Sequence, residues 1–243
     1  MTIFQALILS IVQGITEFLP ISSKGHLNLV SALMGLTPSL SLDIFLNTAT
    51  LVSVLIYFRK QVPYFIKNLK YIVVGTLPAV IAGFLFKHRL ESLVTNLHVY
   101  PYFFLVTSLY LFSTKFLKSK DRQLTYAAAL AIGTFQALAL LPGISRSGST
   151  IFAGLLMGLS PLEAFNFSFA LFIPASFGAL LLDLKDASLS GFFHPVYLFS
   201  FVVTFLVGLA AISVLKKLLT SKHFWYFGIY TLLLAIFLFI ARV

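Results

Sequence analysis

Long apolar runs separated by short polar loops dominate the chain. A membrane span needs about 20 predominantly apolar residues. Six segments approach that length: residues 40–58, 71–86, 99–116, 161–182, 196–215 and 224–240. Their apolar positions are continuous rather than alternating, which argues for helices and against a transmembrane β-barrel. Two further apolar regions, 2–36 and 125–159, behave differently. Each holds an apolar helix, a Pro/Gly/Ser break and a second short apolar helix. The breaks read EFLPISSKGH and LPGISRSGST. Each half is too short to span alone, so both regions predict re-entrant helical hairpins. Irregular backbone at membrane depth is tolerated only where protein or water covers it, so the breaks are expected to line a cavity.

The hairpins are related to each other. With a shift of 123 residues, positions 6–38 match 129–161 at eleven of 33 places. The polar and structural matches are Gln13/Gln136, Ser22/Ser145, Gly25/Gly148, Gly35/Gly158 and Pro38/Pro161, and the Leu-Met-Gly-Leu-x-Pro block recurs without a gap. One hairpin followed by three spans therefore forms a repeat. The expected architecture is an all-α polytopic membrane protein, a single integral membrane domain over residues 1–243. Repeat one covers about 1–118 and repeat two about 123–243. Three spans per repeat invert the second copy in the membrane.

Charge supports that orientation. Eleven Lys/Arg (59, 60, 67, 70, 115, 118, 120, 122, 216, 217 and 222) fall in loops on one predicted side, and four (87, 89, 185 and 242) on the other. The richer side is expected to be cytoplasmic. The first hairpin then enters from outside and the second from the cytoplasm, with their tips meeting near mid-bilayer. Apolar residues make up 59% of the chain and charged residues 10%. A soluble domain carries about 25% charged residues, so a soluble enzyme is excluded. The aromatic and aliphatic content excludes a disordered chain. The net charge of +10 reads as loop charge facing anionic lipid; with no basic face interleaved with aromatics, nucleic acid is not an expected partner. Without cysteine there is no disulfide or thiolate metal site. The first residues lack the basic start and small-residue cleavage site of a signal peptide.

Ionisable residues at membrane depth are costly and need a reason. The first break carries Glu17, Lys24 and His26; the second carries Arg146, which the 123-residue shift places opposite Ser23. If the tips meet, these residues share one site. In the second break, the hydroxyls of Ser145, Ser147, Ser149 and Thr150 surround one guanidinium just before a helix. A helix N-terminus and an arginine fork together describe an oxyanion site; the plainer alternative is a capped helix with Arg146 snorkelling. In the first break, Ser23 and His26 lie three residues apart on one helical face, which suits a serine nucleophile beside an imidazole base. Glu17, with Gln13 one turn earlier, is open to three roles: general base, orienter of His26, or holder of a divalent cation. Asp43 and Glu163, at loosely corresponding places after the hairpins, read as helix-start residues. His88, His98, His194 and His223 fall in loops or at span ends.

Residues 13–27, Gln-Gly-Ile-Thr-Glu-Phe-Leu-Pro-Ile-Ser-Ser-Lys-Gly-His-Leu, resemble the glutamate-rich motif of the undecaprenyl-diphosphatase family, also called the bacitracin-resistance protein family. Residues 142–150 are similar to its Pro-Gly-x-Ser-Arg-Ser-x-x-Thr motif. The resemblance extends over essentially the whole chain. It implies a membrane phosphatase that converts undecaprenyl diphosphate to undecaprenyl phosphate, the lipid carrier for peptidoglycan synthesis, in a bacterial inner membrane. The site is expected to open to the periplasmic side and to use a divalent cation, Mg²⁺ or Ca²⁺. Carried over by motif, Glu17, Ser23, His26 and Arg146 form the catalytic set, with Glu17 also the metal ligand. Gln13, Ser22, Ser145, Ser147 and Thr150 are substrate-binding candidates. Many members have glutamate where this chain has Gln13, which shifts metal or proton handling onto Glu17.

The chemistry expected first is attack by Ser23 Oγ with His26 as base; direct attack by water activated by Glu17 or His26 is the alternative. The expected partners are a polyprenyl diphosphate and membrane lipids, with the oligomeric state, a homodimer included, left open. The rival function is a transporter or flippase of a polyprenyl phosphate, since broken helices meeting at the midplane also build transporter sites. A pure carrier needs no aligned nucleophile and base. A purely structural subunit leaves the two polar breaks unexplained.

Overall fold

A computed structural model describes residues 1–37, 39–186 and 195–241. Pro38 of the repeat, His194 and Arg242 lie outside the described residues. Among the described residues there are twelve α-helices and no strand. The first hairpin is α1 (Ile3–Thr16) and α2 (Ser23–Leu33). It is followed by α3 (Leu40–Tyr57), α4 (Val62–Lys67), α5 (Leu69–Leu85), α6 (Lys87–Thr95) and α7 (Tyr100–Ser113). The second hairpin is α8 (Tyr126–Leu138) and α9 (Arg146–Leu156), followed by α10 (Pro161–Asp186), α11 (Pro195–Thr220) and α12 (Tyr226–Ala241).

The repeat is visible in the local chemistry of the helix ends. Thr2 and Thr125 cap α1 and α8. Ser22 and Ser145 cap α2 and α9, their hydroxyls accepting from Gly25 N and Gly148 N at 3.4 and 3.2 Å. Both of these helices have eleven residues. Both stop the same way. Gly35 and Gly158 take left-handed φ of 64° and 86°, which lets Leu36 N and Leu159 N reach back to the carbonyls of Ser31 and Gly154. A residue with a Cβ resists that conformation, so glycine ends both helices.

The six expected spans each contain a helix, but the lengths differ. Helices α3, α10 and α11 are long and apolar enough to cross a membrane. Helices α5, α7 and α12 have 17, 14 and 16 residues. At 1.5 Å per residue that is about 21–26 Å, less than the roughly 30 Å hydrocarbon core. Helix α5 is joined to the preceding helical stretch, residues 59–67, by an 87° bend, the geometry of a broken span or of a re-entrant loop. Turns of 3₁₀ helix extend α7 at both ends. The short helices α4 and α6 were not anticipated: neither is a long apolar run.

Helix α1 packs on α11 and α8 on α5; α3 meets α10 and α7 meets α12. The α5–α8 crossing depends on glycine, since a Cβ on Gly133 would lie 2.2 Å from the Gly75 carbonyl oxygen. Small hydroxyls bond across the bundle: Ser53 to Phe205 O, Thr204 to Ser10 O, and Ser108 to Gly228 O, at 2.9–3.1 Å. Such contacts hold helices together where lipid removes the hydrophobic drive for association. A buried aromatic cluster of Phe18, Phe58, Phe165 and Phe169, with ring centroids 4.8–5.8 Å apart, anchors the chain just after Glu17. Leu198, Leu206, Leu233, Phe237 and Ile240 are exposed, an apolar exterior suited to lipid. Length, composition and exterior together define a multi-pass helical membrane protein.

Candidate active site

The two breaks meet. Arg146, the first residue of α9, places Nη2 3.1 Å from Oε1 of Glu17, the residue that ends α1. A Cβ on Gly148 would lie 3.0 Å from that of Pro20, so the second hairpin sits directly on the first. The Arg146 guanidinium lies over the Phe172 ring, 3.8 Å from its centroid. The pair is largely shielded, with 17% and 15% side-chain exposure for Arg146 and Glu17. Removing either partner would leave the other charge uncompensated at high cost.

Glu17 is the hub. Its Oε2 accepts the Ser23 hydroxyl at 2.5 Å and the Gln13 amide at 3.3 Å. Gln13 Nε2 also donates to Asn47 Oδ1 on α3 at 3.1 Å. Among the described residues, two atoms of this network are buried without a partner, Arg146 Nη1 and Gln13 Oε1. A guanidinium N–H without an acceptor calls for an anion, and an amide oxygen without a donor can accept from one or ligate a cation. No group of three or more His, Cys, Asp or Glu gathers among the described residues. The available donors, one carboxylate and one amide oxygen, fit a hard cation that takes its other ligands from water and phosphate.

Ser23 and His26 are not hydrogen-bonded to each other. The backbone explains why. Ser22 has φ 70° and ψ 101°, a conformation costly for a residue with a Cβ. The chain thereby turns sharply into α2, and the Ser23 hydroxyl is bonded to Glu17. His26 is engaged elsewhere: Nδ1 lies 2.8 Å from Ser22 O and Nε2 lies 2.7 Å from the hydroxyl of Tyr230 on α12. Lys24 is exposed.

The hydroxyls of the second break lie behind Arg146 and are committed to the fold. Ser145, Ser147, Ser149 and Thr150 are almost fully buried. Ser145 caps α9 and lies 3.3 Å from Ser147 Oγ. Thr150 bonds Arg146 O at 2.9 Å and Ser168 Oγ at 2.6 Å. Ser149 donates to Tyr110 OH at 3.3 Å, and Tyr110 donates to Ser145 O at 3.2 Å. Together they fix the start of the helix that carries Arg146.

Asp43 and Glu163 fall in the first turns of α3 and α10, as expected of helix-start residues. Glu163 additionally accepts the Tyr64 hydroxyl at 2.7 Å, tying α4 to α10. Asn47, Tyr110, Phe172 and Tyr230 complete the site and were not anticipated. Asn47 had the only local signal, a polar amide in mid-span.

A charged, hydroxyl-bearing centre held between two broken helices belongs to a membrane protein that handles an anionic group. The family profile of the bacitracin resistance protein BacA matches residues 6–237. An undecaprenyl-diphosphatase of Thermosipho melanesiensis is 43% identical over 247 residues, covering 96% of this chain and 97% of the relative. Similar proteins of the same name occur in Thermosipho africanus, at 40% over 96% of this chain and 98% of the relative, and in Methanococcus maripaludis strain C7, at 37% with the same coverage. The chain belongs to the BacA bacitracin resistance family.

Proposed function

We propose that this protein hydrolyses undecaprenyl diphosphate to undecaprenyl phosphate and inorganic phosphate, renewing the lipid carrier for cell-wall glycan synthesis. The observation that carries this reading is the Ser23–Glu17–Arg146 constellation, in which Arg146 Nη1 is buried and unpartnered. Ser23 Oγ attacks the terminal phosphorus while its proton passes to Glu17 Oε2. The bond from that phosphorus to the bridging oxygen breaks, releasing undecaprenyl phosphate. Glu17 gives that proton to the departing phosphate oxygen. Water then attacks the phosphoserine, its proton passing to Glu17 and on to Ser23 Oγ as the serine–phosphorus bond breaks and inorganic phosphate leaves. Arg146 neutralises phosphoryl charge in a largely shielded site, where such stabilisation is worth most. Glu17 and Gln13 Oε1 are the residues that would hold Mg²⁺ or Ca²⁺, which when bound neutralises diphosphate charge.

The two hairpins are read as re-entrant, within inverted repeats that place the basic loops in the cytoplasm and the site toward the outer side of a bacterial inner membrane. The shared offset of the helix caps and the paired crossings α1–α11 and α8–α5 support that reading. Transport of a polyprenyl phosphate has no comparable support: the relatives are named as diphosphatases, and the site holds a hydroxyl already bonded to a carboxylate.

The test is phosphate release from undecaprenyl diphosphate by the purified protein, with Mg²⁺ or Ca²⁺ and with chelator, beside Arg146→Ala. Metal-dependent release that the variant loses is expected. No release from a folded, metal-loaded sample would overturn the reading. Labelled phosphate trapped on Ser23 is expected if the serine attacks, and near-normal turnover by Ser23→Ala would replace it with direct attack by water.

A further inference from the structure

Tyr230 lies outside both motif segments, yet it touches the first. Its ring stacks on His26 with centroids 5.6 Å apart and planes at 16°. Its hydroxyl lies 2.7 Å from His26 Nε2. Phe104 of α7 meets the same imidazole edge-on at 5.6 Å and fills the space beside Gly25, where a Cβ would be 2.5 Å from the ring. The imidazole is thus held by two neighbouring helices.

The hydrogen-bond roles follow from the partners. The Ser22 carbonyl can only accept, so Nδ1, 2.8 Å away, carries a proton. In the neutral ring Nε2 is then the acceptor, and the Tyr230 hydroxyl donates to it. Ser22 O also accepts the His26 backbone N–H at 3.2 Å. This is the carbonyl of the left-handed residue that sets the turn into Ser23. Were the proton on Nε2 instead, the lone pair of Nδ1 would face that carbonyl oxygen and the turn would lose a support.

We propose that Tyr230 is a positioning residue for the turn that bears the nucleophile. Its hydroxyl fixes the His26 ring through Nε2, while the Ser22 carbonyl sets the Nδ1–H tautomer, and His26 in turn holds the Ser22 peptide that directs Ser23 toward Glu17. The link to turnover rests on the reading of Ser23 as nucleophile under the proposed function.

Tyr230→Phe removes the hydroxyl and keeps the stacked ring. The full chain in lipid nanodiscs is examined in two ways: ¹⁵N resonances of the His26 ring, assigned by their loss in His26→Gln, and kcat and KM with undecaprenyl diphosphate. The wild type is expected to show an Nδ1–H ring whose Nε2 resonance is shifted by the hydroxyl bond, and Tyr230→Phe the same tautomer with Nε2 moved toward its unbonded position. With one hydrogen bond lost, kcat is expected to fall about fivefold to tenfold, with KM within about twofold because substrate binding is untouched. In a His26→Gln background, Tyr230→Phe should change kcat by less than about twofold, since its effect travels through His26. Tyr102→Phe, an exposed tyrosine of α7, should change none of these readings. An Nε2 resonance unchanged in Tyr230→Phe, or a full loss of kcat added on top of His26→Gln, would overturn the proposal. The ring spectrum needs no substrate. A wild-type chain with the Tyr230-dependent Nε2 shift and no phosphate release would therefore support the contact and overturn the phosphatase reading alone.

Discussion

The two breaks share an offset, a serine cap and a glycine stop, yet they do opposite work. At the first, Ser22 is forced into left-handed backbone, Ser23 is bonded to an acid, and His26 reaches across to another helix. At the second, Ser145 has an ordinary extended φ of −79°, and the hydroxyls of Ser145, Ser147, Ser149 and Thr150 are spent on one another, on Tyr110 and on backbone. The equivalent positions Ser23 and Arg146 put a hydroxyl from one copy and a cation from the other on the same carboxylate. Glu17 corresponds to Leu140 and His26 to Ser149. Under the proposed function, the first hairpin is a reactive tip and the second a rigid tip, which differ at a few positions. Of the three left-handed residues other than glycine among the described residues, Ser22, Asp121 and Lys222, it is Ser22 that lies beside the proposed chemistry.

Exchanging properties between the tips tests this division. Ser23→Ala, on the reactive tip, should lose the most: about 10³-fold or more in phosphate release, with no phosphate retained on protein. Arg146→Lys, on the rigid tip, should cost about 10²-fold, because a point charge cannot serve both Glu17 and a phosphate as the planar fork can. Activity near wild type in that variant would remove Arg146 from the site.

The glycine stops come next and are read as thermal stability in detergent. Gly35→Ala and Gly158→Ala should each cost about 1 kcal/mol for the left-handed backbone. The second should cost more, because its Cβ would come within 3.1 Å of Arg122 Cδ whereas nothing lies within 4 Å at Gly35. Equal losses would mean that the 120–122 strand of loop does not press on the second hairpin. The smallest effect distinguishes the caps. Ser22→Gly relieves a left-handed serine and should raise the melting temperature slightly. Ser145→Gly, at an ordinary φ, should lower it, each change corresponding to about 0.5 kcal/mol of stability. A fall in both would show that the Ser22 conformation carries no strain.

What was legible in the sequence was local. Caps, breaks and glycine stops depend on residues within about five positions of one another, so a shift of 123 exposed both hairpins and their helix ends. The helices were legible as apolar runs, of which α3, α10 and α11 are long enough to cross a membrane, while the run lengths concealed how short α5, α7 and α12 are. The bend between α4 and α5 left no apolar signature. The helical spacing of Ser23 and His26 put them on one face. That inference failed to give their partners because Ser23 opens the helix, where the backbone of Ser22, rather than the helical repeat, sets the direction of the hydroxyl.

The sequence by itself determined a membrane protein of two related hairpin units with its acid, serine, histidine and arginine in the breaks, because composition and short-range backbone preference are written residue by residue. Only the tertiary structure decided which of these groups touch. Arg146 reaches Glu17 across 129 positions, and Tyr230 reaches His26 across 204. Contacts of that separation are fixed by how whole helices pack, not by the spacing of residues along the chain.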